Sequence, residues 1–90
     1  MASRMDVFYF KIEKEFLGSK LEIYSQDGVP VFSQTVDHRK VLIDFYYEDE
    51  GMFTIHFKKG EFQEEFNFVK KAPCRETDKP AQLITVVQGI

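Results

Sequence analysis

Apolar and polar residues alternate with a period of two along most of this chain. Phe8, Phe10 and Ile12 share one parity while Lys11, Glu13 and Glu15 share the other, the pattern of a strand with one buried face. Leu17-Gly18-Ser19-Lys20 interrupts it. Leu21 and Ile23 then alternate with Glu22 and Tyr24, and Val31 to Val36 reads as the next strand. Between them stands Asp27-Gly28, and an Asp-Gly pair flanked by alternating apolar residues predicts a two-residue hairpin turn with Gly28 at positive φ. Pro30 has no N–H to give a ladder, so it belongs at a strand start or on an edge. Val41, Ile43 and Phe45 form one face of a fourth strand, after a short polar turn at Asp37-His38-Arg39. Phe53, Ile55 and Phe57 form one face of a fifth, after a loop at Tyr47 to Gly51. Lys59-Gly60 turns the chain into a sixth, with Phe62, Phe66 and Phe68 opposite Gln63, Glu65 and Asn67.

One stretch also fits a helix. Phe62, Phe66 and Val69 recur at helical spacing within Glu61 to Lys71, although the preceding turn and Phe68 favour a strand. Elsewhere β-branched and aromatic residues dominate and no helical stripe persists. The pattern divides the chain into four parts. Residues 1–5 read as a disordered or vector-derived leader, 6–69 as a β-sandwich domain, 70–80 as a polar linker and 81–90 as a C-terminal edge strand. The linker, KKAPCRETDKP, has almost nothing to bury, whereas Leu83, Ile84, Val86 and Val87 are too apolar to remain in water.

Six or seven short strands joined by tight turns predict a sandwich or small barrel. Ninety residues allow one core, and ten Phe with four Tyr supply the bulk to fill it. Net charge is −3, and the basic residues form no run longer than two, which argues against a nucleic-acid face. No apolar segment approaches the ~20 residues of a membrane-spanning helix. Cys74 is the only cysteine, so no intramolecular disulfide is expected.

The run LEIYSQDGVPVFSQTVDHRKVLIDFYYEDEGMFTIHFKKGEFQEEFNF resembles the small immunoglobulin-like β-sandwiches of Bacteroidetes surface and secreted proteins, including the C-terminal sorting domains of type IX secretion. The pieces that carry the resemblance are Leu21-Glu-Ile-Tyr24, Asp27-Gly28, Val31-Phe32, Val41-Leu-Ile43, Gly51-Met-Phe53-Thr-Ile55, Lys59-Gly60 and Phe66-Asn-Phe68. It implies an all-β fold, a single immunoglobulin-like antiparallel sandwich of six to seven strands. It also implies a structural or binding role at a bacterial surface. Some 20 residues continue past the point where a sorting domain would stop, a departure that bears on the sorting role and not on the sandwich.

Candidate chemistry is sparse. Asp27, Asp37 and Glu48-Asp49-Glu50 offer oxygens to calcium but lack the required spacing, and read as a turn and a solvated acidic loop. His38, His56 and Cys74 stand singly, where zinc needs close pairs of ligands. Glu64 and Glu65 point to opposite faces of a strand and cannot act as a carboxylate pair. Glu64 interrupts an apolar face, either as a charge at the sheet margin that can pair with a lysine or as an inward charge guarding an edge. No catalytic, cofactor-binding or metal-binding residue is nominated.

The fourth strand is the informative anomaly. Leu42 and Tyr46 make its second face apolar as well, so it is either covered on both sides or presents an interface. Leu42 and Tyr46, with Leu83, Ile84, Val86 and Val87 of the tail, are therefore the candidate partner-binding residues. The expected function is a non-enzymatic structural or binding module, secreted or at the cell surface if an export signal has been removed. The alternative is a small cytoplasmic regulator or assembly subunit that uses its C-terminal strand, Gln82 to Val87, to pair with another chain; self-association through a sheet edge is also open.

Overall fold

The computed structural model describes residues 6–71, 78 and 80–89. Seven strands follow one another: β1 (Val7–Lys11), β2 (Lys20–Tyr24), β3 (Pro30–Thr35), β4 (Lys40–Asp44), β5 (Gly51–Lys59), β6 (Phe62–Lys70) and β7 (Thr85–Gln88). A short 3₁₀ turn at Lys14–Phe16 is the remaining regular element among the described residues. The strands form two antiparallel sheets, one ordered β1-β4-β7 and the other β3-β2-β5-β6. The chain is an all-β sandwich.

Its connections are those of an immunoglobulin-like sandwich. The chain changes sheets between β1 and β2, β3 and β4, β4 and β5, and β6 and β7. The central pairs β1–β4 and β2–β5 stand where strands B–E and C–F stand in that fold, with β3 and β6 in the C′ and G places. β7 lies beside β4, in the place of strand D. No described strand takes the A place beyond β1.

The core follows from strand parity. Leu21, Ile23, Val41, Ile43, Ile55 and Phe57 point between the sheets and are buried, as are Val36, Phe45 and Phe53. Phe45 stacks on Phe68 with centroids 4.5 Å apart and tilts against Phe53 at 5.1 Å. Of the expected core, Ile23, Ile43, Phe53, Ile55 and Phe57 are buried, but Phe10 and Phe66 are only half-buried. Both sit on edge strands, β1 and β6, where the two sheets part.

One local expectation needs revision. The β2–β3 turn has three loop residues rather than two. Gly28 donates its N–H to the Ser25 carbonyl (2.9 Å), and Ser25 donates to Val29 (2.8 Å), which encloses Gln26-Asp27-Gly28. Gly28 does take positive φ, at 81°, the left-handed residue that completes a three-residue hairpin. The β5–β6 turn is the two-residue one, since Lys59 pairs with Phe62 around Gly60-Glu61. Within 61–71, where a helix also fitted the spacing, the favoured strand is what forms: nine residues paired along their whole length with β5.

Candidate functional site

β4 lies between β1 and β7, and its two faces meet different surroundings. Inward Val41 and Ile43 are fully buried. Outward Leu42 pairs with Tyr9 on one side and Val87 on the other, so the three form a row across the sheet. No described layer covers this row: Tyr9 is 52% and Val87 39% exposed, while Leu42 between them is half-buried. The second apolar face of the fourth strand is thus an outer surface and not a second core.

The tail divides by the same parity. Ile84 is 2% exposed and belongs to the core, and Val86 packs against it opposite Ile43. Of these two candidate partner-binding residues, Ile84 lies inside the core and Val86 faces inward and is partly buried. They hold β7 onto its own chain instead. Leu83 is half-buried, and only Val87 points outward with Leu42. Tyr46 lies past the end of β4, half-buried and edge-on to Tyr47 at 5.0 Å. It does not join the row.

Polar groups fix the ends of these strands. The Gln88 side chain accepts from the N–H groups of Asp37 (2.6 Å) and His38 (3.2 Å) and donates to the Thr35 carbonyl (3.1 Å). β7 is thereby tied to the β3–β4 connection. Gly89 has φ 74°, and a Cβ there would lie 2.8 Å from the His38 ring, so this position requires glycine. Asp44 accepts from the Tyr46 N–H (2.9 Å) and caps the end of β4.

Lys70 was expected in the polar linker. It is instead the last residue of β6, only 3% exposed. Its ammonium donates to the carbonyls of Phe45 (3.1 Å) and Tyr46, and lies 3.9 Å from the Asp6 carboxylate. A charge is tolerated inside because backbone acceptors surround it. The sequence gives one hint of this, since Lys70 is the residue at which the strand pattern stops. Lys70→Met keeps the aliphatic stem and removes the donor. Its unfolding free energy in urea should fall by about 1–3 kcal/mol. An unchanged value would show that water satisfies those carbonyls equally well.

The remaining candidates do not converge on a catalytic or metal site. The β2–β3 turn and the loop before β5 bring Asp27, Glu48, Asp49 and Glu50 around one hollow, but Asp37 lies elsewhere, beside Gln88. Among the described residues no group of three or more His, Cys, Asp or Glu could hold a metal ion. Cys74 lies outside the described residues. His56 sits on the outer face of β5, between Glu22 and Glu65 on the neighbouring strands. Desolvation, then the charge and hydrogen bonding of Glu22, push the Tyr24 phenol above its ordinary value, so it stays protonated at neutral pH. Among the described residues no helix is long and apolar enough to cross a membrane. No family model, curated protein or solved structure matches this chain.

Proposed function

We propose that this chain is a non-catalytic binding module of the kind found in small immunoglobulin-like surface and secreted proteins of Bacteroidetes, and that it joins a second copy by strand addition at β7. The observation that carries this reading is the contrast among the four sheet edges. β3 opens on Pro30 and contains a bulge, β6 carries Glu64 and Glu65, and β1 is flanked by Asp6 and ends on Lys11. Charges, prolines and bulges are the devices that keep edges from pairing. β7, with the sequence Thr-Val-Val-Gln, has none of them.

The exposed row of Tyr9, Leu42 and Val87 ends at this same edge. Two β7 strands pairing antiparallel about a two-fold axis would make one six-stranded sheet and bring the two rows into line. The polar groups inside the fold support a binding role over a catalytic one, since Lys70, Ser19 and Gln88 are committed to backbone atoms. Light scattering across a concentration series tests the proposal. The wild-type mass should rise toward twice 10.6 kDa with concentration. Val87→Lys should stay at the monomer mass with its urea midpoint unchanged. A wild-type chain that remains monomeric into the high micromolar range removes the proposal.

A further inference from the structure

On the side away from β7 the sandwich is open, because no described strand lies beyond β1. Half-buried Phe10, Phe16, Phe62 and Phe66 line a cleft of about 360 Å³ there, and buried Phe57 forms its floor. Ring contacts reach across to β6 from β1 and from the 3₁₀ turn. Phe8 meets Phe66 at 5.6 Å, and Phe16 stacks on Phe62 at 3.7 Å. A strand laid along β1 would have to break these contacts, whereas a small molecule fits between them. The volume falls in the range of small-ligand sites.

The mouth of the cleft is charged. Glu64 faces inward from β6 between Phe62 and Phe66, and no hydrogen bond or ion pair joins its carboxylate to another described residue. Glu13 enters from the other wall, and Lys11 is the one cation. Two carboxylates against one ammonium leave the rim negative, and the faces of the rings are negative too. Glu64 therefore does more than interrupt an apolar face: it sets the sign of the charge that the cleft favours.

We propose that this cleft binds a small organic cation with an aromatic or branched-alkyl body. The body replaces water over Phe57 and Phe10, and the ammonium lies at the mouth, within reach of the Glu64 carboxylate and the face of Phe66. Phenyl groups supply no hydrogen-bond donor for an anion, and the one lining ammonium, Lys11, is set against the two carboxylates Glu13 and Glu64, so an anion of the same shape is the weaker ligand. The site lies on the opposite edge from β7, and its occupancy does not depend on whether two copies associate.

Titration with 2-phenylethylammonium, followed by amide NMR, tests this. Saturable shifts are expected at the end of β1 and along the facing halves of β5 and β6. The anion 3-phenylpropanoate should bind about tenfold more weakly, from one ion contact and one cation–π contact at a partly exposed site. Glu64→Gln should bring the two ligands close to parity while leaving neutral 2-phenylethanol unaffected. The proposal is overturned by equal binding of cation and anion to the wild type, by a preference that survives Glu64→Gln, or by shifts confined to residues outside the cleft.

Discussion

Phe45→Ala should lower the unfolding free energy by about 3–5 kcal/mol, the largest loss expected from any single substitution in this chain. Phe45 is fully buried and held on two sides by rings, Phe68 from β6 and Phe53 from β5. It stands just beyond β4, so its side chain joins the β1-β4-β7 sheet to the other layer. Its backbone is fixed as well. The Phe45 N–H donates to the Asp6 carbonyl (2.8 Å), and its carbonyl accepts from Lys70 and Glu48. A backbone held in this way cannot collapse to fill the space left by the ring, which places the cost near the upper end of the range. Phe57→Ala should cost less, because the floor of the cleft is next to solvent and water can enter the space. Urea unfolding of the two variants checks the order. A loss below about 1 kcal/mol for Phe45→Ala would mean that the layers are joined elsewhere.

The strands were legible in the sequence because each has one buried face and a sharp apolar–polar contrast. Phe53-Thr-Ile-His-Phe57 shows that contrast fully, and its burial follows it residue by residue. Leu83 to Val87 hides it, since Thr85 is the one polar residue in an apolar run. The alternation of Ile84 and Val86 inward against Val87 outward therefore became visible only once β7 was paired with β4. Phe10 and Phe66 show a different limit. Their parity is inward as expected, but parity does not say which strands are edges, and side chains on edges stay half-covered.

Lys70 and the row on the outer sheet show a third limit. A lysine at the end of a strand reads as the start of a polar linker unless the carbonyls that receive it are known, and those belong to Phe45 and Tyr46, more than 20 residues away. Leu42 faces away from the core, as its parity opposite to Val41 and Ile43 predicts. Its neighbours Tyr9 and Val87 come from opposite ends of the chain, and no local pattern joins them.

Truncation after Lys79 should cost the protein most of its stability. The segment removed contains Ile84, which is fully buried, and Leu83 and Val86, which are partly so. Taking these side chains out of the core forfeits roughly 3–6 kcal/mol of apolar burial. It also strips β4 of one of its two ladder partners, and removes the Gln88 side chain from Thr35, Asp37 and His38 and the Gly89 N–H from the Lys40 carbonyl. Domains of this size are stable by about 5–15 kcal/mol in total, so a loss of that order leaves a substantial unfolded population. Urea denaturation and amide NMR dispersion of the truncated chain give the measurement. Collapsed dispersion is the expected result, and a truncated chain within about 1 kcal/mol of the full one would show that β7 is an ornament on a self-sufficient six-stranded fold. The comparison with Val87→Lys then separates the two roles of this strand. Under the proposed association, its inward residues act on stability at any concentration, whereas its outward residue and edge act on mass, because Val87 faces outward opposite Leu42, away from the core.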